Sequence, residues 1–289
     1  MVGAAAASEN AWAWHPHPDV WLLIFLLTAG YIVAVTQLGP KLAGAGEVPA
    51  TQRKKTLYFL GVLALWIGAD WPIHDISENY LFSVHMVQHT IFSLVAPPLL
   101  LAGIPSWLLR AILKPQWLMA LVRRLSRPFM ALIFFNAIIL VTHWSALVDL
   151  SLRSEGVHFL VHTVLVLSSV IMWIPVLEPL PEFKRMSEPG KMLYLFGQSI
   201  LPTVPASFLT FSSGVIYKFY EEAPRIWGFS AIDDQRTAGL IMKLGGGLLL
   251  WGVIAVLFFR WNSKEEAEAA EELRWDDFER ELEIWNLRK

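Results

Sequence analysis

The chain has 289 residues, of which 55% are apolar and 17% charged, and its mean hydropathy is +0.48. This composition is more apolar than that of an ordinary soluble domain, so we expect an integral membrane protein. The net charge of −2 and the absence of a Gly-rich phosphate loop argue against nucleic-acid and nucleotide binding. Because the chain has no cysteine, any metal must be bound by His, Met or carboxylate side chains.

Seven apolar stretches are candidates for membrane-spanning helices, which need about 20 residues each. They cover residues 20–38, 57–70, 81–102, 129–147, 157–177, 192–213 and 237–261. We therefore predict an all-α polytopic membrane protein with seven transmembrane helices, forming one domain over residues 1–261. Pro97, Pro98, Pro202 and Pro205 lie inside the third and sixth stretches, where they predict kinks whose freed carbonyls need other donors.

The C-terminal segment, residues 262–289, is rich in acidic side chains and has a different character. Phe278, Leu282 and Trp285 recur in it at helical spacing, so we expect a cytoplasmic amphipathic helix. A solvated tail, or one lying on the membrane surface, is the simpler interpretation; a docking helix for a partner is the alternative.

The basic residues predict the orientation, because Lys and Arg are retained on the cytoplasmic side. Residues 1–19 carry none, which also argues against a cleaved secretory signal, and neither does the loop at 71–80. The basic residues of the first, third and fifth loops are Lys41, Arg53, Lys54, Lys55, Arg110, Lys114, Arg123, Arg124, Arg127, Lys184, Arg185 and Lys191. We expect the N-terminus outside and the C-terminus inside.

With this topology, all eight histidines lie at or near the outer face. They are His15, His17, His74, His85, His89, His143, His158 and His162. His85 and His89 fall in the third span and His158 and His162 in the fifth, in each case in the half nearer the outer side. A spacing of four places two imidazoles one turn apart on the same side of a helix.

Two such pairs provide four imidazoles, which suit copper, zinc or iron. We therefore predict a metal site at His85, His89, His158 and His162. His143 is a fifth candidate ligand, and Met86 and Met242 are candidate thioether ligands that favour Cu(I). Gln88 and Asp75 are candidates for orienting the imidazoles, and His74 is a candidate for the access path, with His15 and His17. A hydrogen-bonded polar cluster without metal is the alternative.

Other chemistries fit the residues less well. The segment 85–89, HMVQH, has Met86 where the zinc-protease pattern H-E-x-x-H requires the acid. Stacked haems need axial histidines at two depths, although a single haem between the third and fifth helices stays open. Lys243 suggests a retinal Schiff base, but the third span has no acidic counter-ion. A metal-ion transporter stays open because the proline-broken helices suit a translocation path.

Several segments resemble the CtaG family of bacterial cytochrome c oxidase assembly factors, which are seven-helix membrane proteins. These segments are WHPHP at 14–18, YLFSVHMVQH at 80–89, APPLL at 96–100, MWIPV at 172–176, DQ at 234–235 and AGLIM at 238–242. The resemblance covers nearly the whole chain and implies a non-enzymatic protein of the bacterial plasma membrane. It implies a role in placing copper in the catalytic subunit of a haem–copper oxidase.

Carried over by position, the resemblance implicates His85, His89, His158 and His162 and puts Asp234 and Gln235 near the outer mouth of the site. The chain departs from the family pattern at Val161, where an acid is common, and at Lys243, where an aromatic is common. The first departure weakens the assignment of His162 as a ligand, and the second weakens that of Met242.

The resulting functional prediction is a copper metallochaperone that binds copper transiently and passes it to an oxidase subunit. The expected partners are that subunit, membrane lipid and a further copper chaperone, with no nucleic acid. A copper or other metal-ion transporter and a metal-free structural assembly partner are the alternatives. The imidazoles do not distinguish copper from zinc.

Overall fold

A computed structural model describes residues 11–44 and 48–287, and every regular element within these ranges is a helix. The start of the predicted outer segment, residues 1–10, and the end of the predicted acidic tail, residues 288–289, lie outside the described residues. The helices are α1 (Pro18–Leu42), α2 (Gln52–Ala69), α3 (Ile73–Asn79), α4 (Phe82–Gly103), α5 (Ser106–Ile112), α6 (Gln116–Leu125), α7 (Pro128–Thr142), α8 (Ser145–Leu152), α9 (Glu155–Leu177), α10 (Glu188–Ile200), α11 (Thr203–Phe211), α12 (Lys218–Glu222) and α13, built from Ala231–Leu240, Ile241–Gly245 and Gly246–Leu287.

Six segments of the described chain are long and apolar enough to cross a membrane. They are α1, α2 with α3, α4, α9, α10 with α11, and α13. A seventh is reached when α6 and α7, which meet at an angle of 86°, are counted as one span. The prediction of an all-helical, multi-pass membrane protein is therefore confirmed.

The fourth predicted span, 129–147, is not one continuous helix. Helix α7 ends at Thr142, and α8 starts at Ser145 after an extended backbone at Trp144. The 15 residues of α7 reach about 22 Å, which is less than the ~30 Å hydrocarbon core of a bilayer. Helix α6 lies almost perpendicular to α7, so the pair is either a broken span or a re-entrant segment.

The predicted kink in the third span is a wide, π-helical turn at Ile91–Val95 in α4. Pro97 has no N–H, so the carbonyl of Ser93 loses its donor four residues on. The Oγ of Ser169 and the Nε1 of Trp173, at 3.1 Å, donate to that carbonyl from α9. The neighbouring helix α9 thus satisfies the freed carbonyl. These hydrogen bonds also join α4 to α9 on the C-terminal side of their histidine pairs.

The sixth predicted span also breaks at a proline, since α10 ends at Ile200 and α11 starts after Pro202. Below the break, the buried Gln198 donates from Nε2 to the Tyr194 hydroxyl at 2.9 Å and accepts from the Asn136 amide at 2.7 Å. The Tyr194 hydroxyl donates to the Met172 carbonyl at 2.8 Å. This polar network joins α7, α9 and α10 within the bundle.

The main apolar core fills the bundle between α4, α7, α9 and α10. Its most buried members include Ala96, Ala131, Leu165, Met172 and Leu195, each fully enclosed. Because α4 and α9 contribute to this core with their C-terminal halves, their N-terminal halves, which carry the histidines, are held at a fixed separation.

The last helix, α13, continues beyond its apolar part through to Leu287. It contains a wide, π-helical turn near the site, Ile241–Gly245, which includes Met242 and Lys243. Phe278, Leu282 and Trp285 are exposed in its C-terminal part. The division between a membrane domain and a tail stays a prediction, as does the orientation of the termini.

Candidate metal centre

The start of α4 is fixed by a buried carboxylate on α13. The two oxygens of Asp234 accept hydrogen bonds from the backbone N–H groups of Phe82 at 2.8 Å and Ser83 at 2.9 Å. These are N–H groups that a helix N-terminus leaves without partners, and the negative charge also suits that end of the helix dipole. Asp234 therefore sets the depth of His85, which lies less than one turn further along α4.

We expect Asp234→Ala to lower the melting temperature of the detergent-purified protein, because two buried N–H groups lose their acceptor. Each such loss costs about 1–3 kcal/mol. Glu221→Ala is the matched control, since Glu221 is an exposed acid on α12. Melting temperatures measured by intrinsic Trp fluorescence check this, and equal values for the two variants would contradict the capping role.

Three histidines converge between α4 and α9. The Nε2 atoms of His89 and His162 lie 3.1 Å apart, and one nitrogen each of His85, His89 and His162 lies within 4.8 Å of the others. The ring centroids of His85 and His89 are 4.3 Å apart, as the spacing of four requires. We call His85, His89 and His162 the trihistidine site.

The rings of the trihistidine site are largely buried, and two of their nitrogen atoms are unpaired among the described residues. His85 is 4% exposed and His89 6% exposed, and the buried Nδ1 atoms of both have no hydrogen-bond partner among the described residues. Buried polar atoms are normally paired, so these two stand out. The 3.1 Å between Nε2 of His89 and Nε2 of His162 is a hydrogen-bond distance, and it is a few tenths of an ångström shorter than the roughly 3.4 Å that separates two nitrogen ligands of one ion.

The fourth predicted ligand, His158, lies next to the trihistidine site but contacts a different set of side chains. Its Nε2 is 2.6 Å from an oxygen of Glu78, and that same oxygen is 3.1 Å from Nε2 of His74. The His158 and His162 ring centroids are 4.1 Å apart. The structure thus divides the predicted four-histidine set into two adjacent groups, one of which includes Glu78, a residue that was not predicted.

The more exposed end of the site is formed by the N-terminal segment and α3. Asp75 lies 3.1 Å from Nδ1 of His15 and 2.8 Å from Nε2 of His17, measured from its two carboxylate oxygens. The ring of His17 packs edge-on against that of His74, with centroids 4.7 Å apart. Asp75 thus joins the exposed His15 to His17, and from His17 ring contacts lead through His74 to the buried His158.

Gln88 joins the second and third predicted spans beside these rings. Its Nε2 donates to the carbonyl of Gly68 at 2.8 Å and lies 3.3 Å from Nδ1 of His74, and its oxygen accepts from Ser77 at 3.2 Å. Among the predicted supporting residues, Gln88 and Asp75 therefore do contact imidazoles, as donors or acceptors that can fix the tautomer.

Tyr220, on α12, packs against the start of α4 beside His85. Its buried hydroxyl donates to the carbonyl of Ser77 at 2.6 Å, and its ring lies 5.0 Å from that of Phe82 and 6.3 Å from that of His85. Burial raises the pKa of Tyr220 above its ordinary value, so the hydroxyl stays protonated and keeps donating. This residue was not predicted.

His143, Met86 and Met242 line a separate small cavity with His89. The cavity has a volume of about 60 Å³, which is room for an ion or a few waters. The Nδ1 of His143 lies 2.7 Å from the carbonyl of Ile139, while its buried Nε2 has no hydrogen-bond partner within the described chain. The predicted thioether candidates thus share a cavity with His89 rather than forming part of the trihistidine site.

Gln235 was predicted to lie near the mouth of the site, and the hydrogen bonds of its side chain all go to backbone groups. It accepts from the N–H of Ile216 at 2.6 Å and donates to the carbonyls of Leu209 at 3.3 Å and Gly214 at 3.2 Å. Asp234 and Gln235 therefore both hold the backbone around the site.

The fold and this cluster define a multi-pass helical membrane protein with a histidine-rich candidate metal centre in one half of its bundle. Residues 29–264 match the family described as the cytochrome c oxidase caa3 assembly factor, Caa3_CtaG. The chain belongs to that family, as the resemblance predicted.

Two curated relatives come from mycobacteria. They are the uncharacterized protein Mb0105 of Mycobacterium bovis and the uncharacterized protein MT0111 of Mycobacterium tuberculosis, each 28% identical over 229 residues. The alignment covers 71% of this chain and 34% of each relative, so the chain spans about a third of their length. No solved structure matches the chain.

Proposed function

We propose that this cytochrome c oxidase assembly factor is a copper metallochaperone that binds copper transiently at the trihistidine site. The observation that carries the proposal is the convergence of three imidazoles, those of His85, His89 and His162, inside an apolar bundle. Ring nitrogens are costly to bury there without partners, and a metal ion would give the converging nitrogens a shared partner.

The donor set favours monovalent copper as the cargo. Imidazole binds copper well, and a Cu⁺ ion held by three neutral rings leaves only one net charge in the bundle. The chain offers no thiolate, the ligand that would hold Cu⁺ most firmly. A site of neutral imidazoles suits a protein that has to release its ion to a recipient.

The recipient in this proposal is the catalytic subunit of a haem–copper oxidase, with the plasma membrane as the location. The distribution of basic residues supports an N-terminus outside and places the histidines near the outer face. Copper would then enter from the outer side, either from a second chaperone or from solution. The protein would pass the ion to the oxidase without a chemical conversion.

The test is the metal content of the detergent-purified protein after loading with Cu⁺ under anaerobic conditions and desalting. We expect about one copper retained at the trihistidine site in the wild type and its loss in the His85→Ala/His89→Ala variant. His15→Ala is the matched control, because that side chain is mostly exposed and lies outside the trihistidine site. Parallel loading with Zn²⁺ distinguishes the two metals that imidazole serves.

Copper retained equally by the wild type and the double variant would contradict the trihistidine site. Copper retained by neither would favour the metal-free structural partner. Copper accumulation by sealed vesicles containing the protein would instead favour a transporter, so the same preparation should be tested for uptake.

A further inference from the structure

Glu78, His74 and His158 form a group of possible metal ligands that is distinct from the trihistidine site. One oxygen of Glu78 lies 2.6 Å from Nε2 of His158 and 3.1 Å from Nε2 of His74, and one ligand atom from each residue lies within 4.8 Å of the others. Helix α3 contributes Glu78 and His74, and α9 contributes His158. Two imidazoles and a carboxylate are a common ligand set for divalent transition metals.

This group differs from the trihistidine site in exposure. The side chains of His74 and Glu78 are 18% and 28% exposed, and His158 is buried. In the trihistidine site, two of the three rings are buried, those of His85 and His89, and only His162 is partly exposed. The group therefore lies between the solvent-accessible end of the site and the buried interior.

The two groups also differ in charge. A divalent ion next to the Glu78 carboxylate would leave a net charge of +1, which is the same net charge that Cu⁺ leaves among three neutral imidazoles. A divalent ion at the trihistidine site would leave +2 in the bundle, which is more costly. Each group thus matches a different oxidation state of the same metal.

We propose that His74, Glu78 and His158 form a second metal site that binds Cu²⁺ on the outer side of the trihistidine site. The choice of copper as the metal rests on the Irving–Williams order, in which Cu²⁺ binds nitrogen and oxygen ligands more tightly than the other divalent first-row ions do. The identity of the cargo rests on the proposed function, but the ligand set does not. No reduction step is part of this proposal.

The neighbouring residues support access from outside. The ring of His17 packs against His74 at 4.7 Å, and the carboxylate of Asp75 lies within 3.1 Å of both His15 and His17. On the inner side, the His158 ring is 4.1 Å from that of His162. An ion at the second site is therefore one side chain away from both the mouth and the trihistidine site.

The experiment is aerobic titration of the purified protein with Cu²⁺, followed by electron paramagnetic resonance and its echo-modulation form, which counts bound imidazoles. In the wild type we expect one tightly bound Cu²⁺ with two imidazole nitrogens. The His85→Ala/His89→Ala variant should keep that signal. Glu78→Gln should weaken Cu²⁺ binding at least about tenfold, as expected for loss of a coordinating group.

Glu155→Gln is the matched control, because it removes one negative charge from an exposed position at the start of α9, three residues before His158. A wild-type signal with three imidazoles that disappears in the His85→Ala/His89→Ala variant would overturn the proposal, and so would the lack of any bound Cu²⁺. The wild-type imidazole count decides the matter even if Glu78→Gln fails to fold. Failure of Cu⁺ retention at the trihistidine site, with the two-imidazole Cu²⁺ signal intact, would overturn the proposed function alone.

Discussion

The His85→Ala/His89→Ala variant should fail to support a copper-loaded, active oxidase in cells that depend on this protein. Both side chains belong to the trihistidine site, and together they provide two of its three ligands. A single remaining imidazole, His162, binds copper far more weakly than three converging ones. We expect oxidase activity to fall to the level of a strain without the protein. The measurement is oxygen consumption by isolated membranes together with their copper and haem content.

The outcome is informative because the three functional alternatives respond differently. A chaperone variant should leave the oxidase subunit present in the membrane but poor in copper, and added copper should partly restore activity. A structural partner would retain function in the double variant, because its contact surface is unchanged. Val87→Ala is the control for a change in α4 outside the trihistidine site, because that side chain is exposed. Immunoblots must show equal amounts of both variants in the membrane.

The fold was largely predictable because apolar length and proline position act locally. The wide turn in the third span lies just before Pro97, and the break in the sixth lies at Pro202, whereas Pro205 lies in the first turn of α11. The break between α7 and α8 falls at the polar residues Thr142, His143 and Ser145, whose effect is lost when hydropathy is averaged over the stretch 129–147. What ends α7 is backbone geometry at His143 and Trp144, to which hydropathy is insensitive.

The convergence of histidines could be predicted from a local rule, the spacing of four on two helices. That rule places imidazoles on one side of each helix but does not give the depth of one helix relative to the other. The structure places His162 opposite His89, which leaves His158 one turn further out beside Glu78. Relative depth is set by long-range contacts, such as those of Asp234 with the start of α4.

Glu78 was missed although a signal was present in the sequence. His74 and Glu78 are themselves four residues apart, the same spacing that identified the other pairs. The stretch 71–80 reads as a polar loop, so the spacing carried no geometric meaning until the structure showed α3 there. Tyr220 has no comparable signal, because its contact with Ser77 joins residues 143 positions apart.

Gly103→Ala adds only one methyl group, but we expect it to destabilise the protein clearly, because α2 and α4 are in close contact at this position. A Cβ atom at Gly103 would lie 2.4 Å from the backbone nitrogen of Tyr58 and 2.6 Å from its Cα. Backbone atoms cannot rotate away, so the helices would have to separate, and overpacking of this kind costs about 1–3 kcal/mol. The carbonyl of Gly103 also accepts the Tyr31 hydroxyl at 3.0 Å, a bond that such a shift would strain.

Gly30→Ala is the matched control, since nothing lies within 4 Å of a Cβ at that position in α1. Alanine favours a helix over glycine by up to about 1 kcal/mol, so this variant should be neutral or slightly stabilising. Melting temperature and the monodisperse fraction in detergent are the measurements, and equal values for both variants would show that the contact is not tight. Because α4 carries His85 and His89, a shift of this helix should also reduce copper retention in Gly103→Ala. A packing defect at Gly103, about five helical turns from His85, would thus change the geometry of the metal site.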